Sequence, residues 1–191
     1  MTEQHHNYIL HKPYGYISQF KTDVKKKKLL GDLYPFAEGT MAIGRLDEDS
    51  EGLLLLTTDG KTSEQVRRKH IEKEYYAQLD GIITDEAIGL LQQGVEIGIK
   101  GEKYQTLPCK AWILNPQPVF PERSRRIRDE RHGATCWISV TLTEGKLRQV
   151  RKMCAAVGYP VLRLIRIRIG NTNLHDLPIG GVLQVETFDI E

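Results

Sequence analysis

The amino-acid sequence reads as an α+β fold, and three patterns carry that reading. Strand-like segments follow one another in runs, without the regular alternation of strand and helix that a βαβ array requires. Between residues 135 and 142, Cys136, Ile138, Val140 and Leu142 alternate with Trp137, Ser139 and Thr141, the two-residue period of a half-buried strand. Val150, Met153, Cys154 and Val157 fall at i, i+3, i+4 and i+7, which marks an amphipathic helix, and Gly158 supplies its stop.

The remaining elements follow in chain order. Tyr8 to Ile17 reads as a strand interrupted by Pro13 and Gly15. Leu53–Thr57 is a short buried strand closed by Asp59-Gly60. Thr62 and Gln65 suit a capping box for a helix running to about Lys69. Tyr75 to Leu79 alternates as a strand. Thr84 can cap a helix over Asp85 to Gln93, with Gly94 ending it. Leu107–Leu114 is a further strand, and Pro116–Gly133, rich in Pro and Arg, is a long basic loop expected to be mobile. Val161–Ile169 is a strand with Ile165, Ile167 and Ile169 on one face and Leu164, Arg166 and Arg168 on the other. Gly180-Gly181 turns the chain into a last strand near Val182–Val185.

With 191 residues the chain suits one domain, or two small lobes. Hydrophobic residues make up 40% and charged residues 27%, ordinary globular usage that excludes a disordered tail, a collagen and a coiled coil. The longest aliphatic run, Leu53 to Leu56, is far short of the roughly 20 residues that cross a bilayer. No apolar signal segment follows the start, so a cytoplasmic location is expected. Cys109, Cys136 and Cys154 are widely spaced, suggesting buried thiols and neither a disulfide framework nor a zinc site. Gly60-Lys61-Thr62 lacks the glycine that a phosphate loop needs at position 55, and Asp47 to Thr58 lacks the twelfth-position Glu of a calcium loop.

The net charge is +2, but its distribution is uneven. Gly145 to Gly170 holds seven positive residues (Lys146, Arg148, Arg151, Lys152, Arg163, Arg166, Arg168) and no acid. Lys25-Lys26-Lys27-Lys28 and the run containing Arg123, Arg125, Arg126, Arg128 and Arg131 add two more clusters. Segregated cations on a near-neutral chain suggest a positive face for a polyanion such as nucleic acid. A solvated surface is the plainer alternative for any one cluster.

The segment Gly44-Arg45-Leu46-Asp47-Glu48-Asp49-Ser50-Glu51-Gly52 sets four carboxylates directly before an apolar strand. An acidic turn ahead of a core strand would account for it. However, Gly44-Arg45-Leu46-Asp47, Ser50-Glu51-Gly52-Leu53-Leu54 and Thr57-Thr58-Asp59-Gly60 resemble the catalytic signature of pseudouridine synthases, in the ribosomal RNA subfamily whose namesake is the small-subunit enzyme. Lys73-Glu74-Tyr75 is similar to the family's second motif. Glu144 to Met153, running on to Leu164-Ile165-Arg166 and Gly170, is similar to its third, and Lys12-Pro13-Tyr14-Gly15 also matches.

The resemblance implies a mainly antiparallel mixed sheet in two lobes with a central active-site cleft, as one catalytic domain over residues 7–188. The small RNA-binding domain that precedes many members is not expected. The implied reaction breaks the uridine N1–C1′ bond and joins C5 to C1′ in ribosomal RNA, expected to be large-subunit RNA or an assembling particle, with the protein acting as a monomer. It requires no cofactor or metal. Asp47 takes the catalytic role, removing a proton at C2′ or attacking C1′. An arginine at close range keeps a carboxylate ionised, and the resemblance gives Arg151 that place, with a phosphate contact as its rival role. Tyr75 stacks on the extruded base, Leu164 lies under its other face, Val150 lines the site, and Arg45 is a wedge or a salt-bridge partner. Lys25, Lys26, Arg123, Arg125, Arg126, Arg148 and Arg166 are expected to contact RNA. A ribosome-assembly factor without chemistry and a nucleoside glycosidase are the alternatives.

Overall fold

The computed structural model describes residues 4–68, 70–127 and 130–190. Lys69, the expected end of the first helix, and Arg128 and Asp129 of the arginine-rich loop lie outside them. The strands are β1 (Asn7–Lys12), β2 (Met41–Ala42), β3 (Glu51–Thr57), β4 (Lys73–Asp80), β5 (Glu96–Ile99), β6 (Glu102–Gln105), β7 (Lys110–Ile113), β8 (Thr135–Leu142), β9 (Val161–Ile169), β10 (Thr172–Asn173) and β11 (Val182–Val185). The α-helices are α1 (Gly60–Arg68), α2 (Asp85–Gln93) and α3 (Gln149–Ala156). The fold is α+β and mainly antiparallel. Among the described residues no helix is long and apolar enough to cross a membrane. The chain forms two compact units, Met1–Ile71 with Arg166–Glu191, and Glu72–Ile165.

In the first unit, β1 pairs antiparallel with β11 on one edge and with β3 on the other, in a register that sets Lys12 opposite Gly52. All seven residues of β3 are buried, as the aliphatic run predicts. Tyr8, Leu10, Leu30, Leu54 and Leu56 form a core that Phe20, Leu33 and Phe36 help to close. Helix α1 starts at Gly60, two residues before the expected capping box. Its cap is Asp59, whose Oδ1 accepts the Lys61 N–H at 2.9 Å and whose Oδ2 accepts the Thr62 N–H and hydroxyl at 3.2 and 2.7 Å. A carboxylate at that position satisfies orphan amides and opposes the helix dipole. Gly52 has φ +104°, and a Cβ there would meet the Arg166 carbonyl oxygen at 2.2 Å.

In the second unit, β8 lies between β4 and β7, antiparallel to both. Thr84 caps α2, its side chain accepting the Ala87 N–H at 3.3 Å. Gly94 ends that helix with φ +89°, where a Cβ would stand 2.3 Å from the Thr106 carbonyl oxygen. Helix α2 buries Ala87, Ile88 and Leu91 on a core with Leu79, Ile138, Val140, Met153, Cys154 and Leu164. Strand β8 is buried on both faces, not one. Its second face is covered because the Trp137 ring meets Phe120 at 5.3 Å and the Ser139 hydroxyl donates to Glu74 Oε1 at 2.8 Å. The Pro-rich segment is thus irregular but anchored at Phe120, which also meets Tyr76 edge-on at 6.2 Å. The hairpin β5–β6, joined through Lys100-Gly101, was not expected from the sequence.

Two glycines give contrasting expectations. Gly52→Ala strains a positive φ and drives a methyl into fixed backbone, so thermal denaturation should show a loss of more than about 3 kcal/mol. Gly89→Ala, within α2 and with nothing within 4 Å of the new methyl, should gain roughly 0.5–1 kcal/mol.

Candidate functional site

The connector before β3 is built by anchors on each side of Asp47. Leu46 is buried and doubly bonded to one hydroxyl: its N–H donates to Ser18 Oγ at 3.0 Å, and that hydroxyl donates to the Leu46 carbonyl at 2.8 Å. On the other side, the Gly15 N–H donates to the Glu48 carbonyl at 2.8 Å. The Ser50 N–H closes a turn onto the Asp47 carbonyl at 3.0 Å. Asp47 itself is half-buried, whereas Arg45 is exposed. A half-buried carboxylate on a turn fixed at both flanks has a defined position and still meets solvent.

Close to this acidic turn lies a buried cation that charge pattern along the chain does not mark. Lys12, at the end of β1, is fully buried, and its ammonium donates to the Pro13 carbonyl at 2.9 Å. Burial pushes this lysine down to about 8, while Glu51, Asp49, Glu48 and Asp47 hold it up. Glu51 and Ser50 are as buried as Lys12. The four carboxylates therefore face an internal cation, which explains how an acidic turn can precede a wholly apolar strand. The sequence signal was a lysine ending an apolar strand just before a Pro-Tyr-Gly turn.

The lysine run also meets the connector. Lys27 pairs with Glu48 at 2.5 Å, and Lys28 lies over the Tyr16 ring at 5.4 Å. Lys25 and Lys26 are exposed. Arg166 is not the surface contact expected from strand alternation. It is 4% exposed, and its Nε donates to the Leu53 carbonyl at 2.8 Å, so it holds β3 from within.

In the second unit, Tyr75, Val150 and Leu164 come together. Val150 and Leu164 are buried in the same apolar cluster, and the half-buried Tyr75 packs against it from β4, opposite Val140. Tyr76, next along β4, turns to the opposite face, where its ring meets Phe120. Arg151 leaves α3 beside Val150, and its Nη1 donates to the Val161 carbonyl at 3.3 Å. One strand therefore presents an aromatic ring, and one helix presents an apolar side chain next to a guanidinium.

The cationic residues of this unit divide. Arg148, Arg125 and Arg126 are exposed, and Arg123 donates Nε to the Arg125 carbonyl at 2.7 Å. Arg163 is buried, with Nη2 donating to the Pro121 carbonyl at 3.0 Å and its guanidinium over the Phe120 ring. The run of seven positive charges is therefore not one exposed face, because Arg163 and Arg166 are internal. Burial raises the thiols of all three cysteines, Cys109 to about 11 and Cys154 to about 12, which leaves them protonated and inert at neutral pH.

Comparison with known proteins places the chain in a family. The family described as RNA pseudouridylate synthase matches residues 6–156. The chain is 38% identical over 180 residues to Ribosomal large subunit pseudouridine synthase E of Vibrio parahaemolyticus, spanning 93% of this chain and 73% of that protein. It is 36% identical over 171 residues to the protein of the same name from Xanthomonas axonopodis pv. citri, spanning 88% of each. A solved structure described as a crystal structure of pseudouridylate synthase shares 28% identity with a TM-score of 0.76, covering 96% of this chain and 71% of that one. The matched span takes in the Asp47 connector, Tyr75 on β4 and α3, and on that match, with the identity to these relatives, the chain belongs to the RNA pseudouridylate synthase family.

Proposed function

We propose that this protein isomerises one uridine of large-subunit ribosomal RNA to pseudouridine, with Asp47 as the carboxylate that acts on the ribose. The observation that carries the reading is the half-buried Asp47 on a turn pinned by Ser18 and Gly15, within a family whose rRNA-acting relatives span nearly the whole chain. The reaction moves a bond from N1 to C5 with no net gain or loss of atoms. A positioned anion beside the sugar meets its central need, whether it removes the C2′ proton or attacks C1′.

A uridine in structured RNA must first leave its stack, at a cost of a few kcal/mol. In this reading Tyr75 stacks on the extruded base, which offsets roughly 1–3 kcal/mol of that cost. Val150 and Leu164 complete an apolar wall against the uracil, and Arg151 takes the guanidinium role that the family resemblance implies. Arg45, exposed ahead of Asp47, fills the vacated place in the RNA. Lys25, Lys26, Arg123, Arg125, Arg126 and Arg148 contact phosphates. The domain spans residues 7–188 and acts as a cytoplasmic monomer on rRNA or an assembling particle.

The central experiment follows tritium release from 5-labelled uridine in rRNA. Asp47→Asn should retain fold and RNA affinity and lose all turnover. Release by that variant would remove Asp47 from the chemistry. Product analysis separates the rivals: an isomer kept in the RNA chain supports the proposal, free uracil indicates a glycosidase, and unchanged uridine a binding factor. Mapping of rRNA from cells with and without the gene should lose one modified position in large-subunit RNA.

Two further outcomes concern charge. Lys12→Met leaves buried Glu51 without its cation, so stability at pH 7 should fall by about 3–5 kcal/mol, with partial recovery on adding Glu51→Gln. Wild-type stability for Lys12→Met would show that this lysine is not the counter-charge. The folded lysine releases its proton near 8, whereas the unfolded one holds it to 10.5. Between those values the unfolded state binds more protons, so this group's contribution to stability rises with pH there, and the effect is absent in the variant. Replacing Arg123, Arg125 and Arg126 together with Gln should weaken RNA binding and flatten its log–log salt slope by about 2 to 3. An unchanged slope would make that loop a bystander.

A further inference from the structure

The segment between β8 and α3, residues 143–148, is neither helix nor strand, yet it sets where α3 begins. Arg148, just before the helix, has φ +54° and gives no side-chain cap. The ordering comes from Glu144. Its carboxylate accepts the Tyr104 hydroxyl at 2.6 Å, the Leu107 N–H at 3.0 Å and Gln149 Nε2 at 2.5 Å. Gln149 is 4% exposed, and its other end, Oε1, accepts the Lys146 N–H at 2.9 Å. The amide is therefore locked at both ends, and the chain from Glu144 to Gln149 closes on itself.

The same node reaches the hairpin. Tyr104 belongs to β6, the Lys146 ammonium lies 4.6 Å over its ring, and Lys152 Nζ donates to the Gly98 carbonyl of β5 at 2.7 Å. Burial pushes the Glu144 carboxyl up, but the bonds from Tyr104, Leu107 and Gln149, with Lys146 nearby, outweigh it and hold the group below the ordinary carboxylate range. Bonds to an ionised acceptor are shorter and roughly twice as strong as neutral ones. The residue held most directly, Gln149, is the first of α3, and the next two are Val150 and Arg151.

We infer that Glu144 is the positioning residue for the substrate-facing turn of α3, fixing Val150 and Arg151 through the buried amide of Gln149. This rests on the proposed roles of those two residues. Glu144 touches neither base nor sugar. It sets the angle from which the guanidinium and the apolar wall are presented, and the β5–β6 hairpin is the brace on its far side.

The test compares a variant that removes the acceptor with one that keeps it. Glu144→Ala leaves the Leu107 N–H, the Gln149 NH2 and the Tyr104 hydroxyl without their acceptor. In Glu144→Gln the amide oxygen can take the place of Oε1, which accepts both Leu107 and Gln149, while its NH2 donates to the Tyr104 hydroxyl, which can turn to accept. Glu144→Ala should slow single turnover at saturating rRNA at least tenfold, with RNA affinity within twofold of wild type. Glu144→Gln should stay within threefold of the wild-type rate. Tyr104→Phe, which keeps the charge and removes one donor, should slow turnover up to threefold.

Amide hydrogen exchange at Val150 and Arg151 reads the positioning without any turnover: protection should fall in Glu144→Ala and be kept in Glu144→Gln. If Glu144→Ala does not fold, slowed turnover with unchanged affinity in Tyr104→Phe supports the inference, and wild-type turnover there overturns it. Wild-type rate and protection in a folded Glu144→Ala overturn it, as does a folded Glu144→Gln as slow and as unprotected as the alanine variant. If the wild-type protein forms no pseudouridine, the proposed function fails instead, and the exchange data alone decide on Glu144.

Discussion

An ammonium group removed from water has to be matched by negative charge, and Lys12 shows what that requirement does to a chain. Its side chain is fully buried, and the carboxylates of Glu51, Asp49, Glu48 and Asp47 offset part of the cost of that burial. The match works in both directions. Glu51 can enter a strand of buried leucines because a cation waits there, and the turn from Asp47 to Ser50 can be acidic without repelling itself apart. The Ser18 and Gly15 hydrogen bonds then fix the backbone where electrostatics has gathered the side chains.

Most regular elements could be read from local pattern, because their signals are local. The Thr84 cap, the Gly94 stop and the apolar face of α2 are contained within one helix and its borders. The strand over Val161–Ile169 and the helix ended by Gly158 likewise declare themselves by period. The hairpin β5–β6 did not, since Glu96 to Gln105 is mostly exposed and polar and alternates over four residues at a time. Thr62 fits a known capping spacing, yet it lies inside α1. Asp59 prevails because it can accept three bonds where a threonine offers one oxygen.

Of the site, the residue types were legible and the surroundings were not. Asp47 and Tyr75 stand out within their motifs, whereas Lys12 and Ser18 gain meaning from partners distant in sequence, and Gln149 through a Glu144 that Tyr104 and Leu107 also hold. The charge pattern misled for the same reason. Strand alternation put Arg166 on a surface with Arg168, but its guanidinium bonds the Leu53 carbonyl, 113 residues away in sequence. Arg163 is likewise covered by Phe120 and Pro121. Counting cations along a chain measures a potential polyanion surface only after the arginines that tie the interior have been subtracted.

The connectors carrying the proposed chemistry share one device with opposite signs. In the first unit an acidic turn sits over a buried cation. In the second, the basic stretch Lys146 to Arg148 follows an anion, Glu144, that is bonded on three sides. Neither connector is itself helix or strand, and in each a charge bonded within the fold joins the local hydrogen bonds in holding the backbone. Buried charges are screened by salt much less than exposed ones. Rising ionic strength therefore loosens the exposed lysines and arginines from a polyanion while leaving both connectors in place. Affinity for the nucleic acid and precision of the site are in this way governed by different charges, and one can vary without disturbing the other.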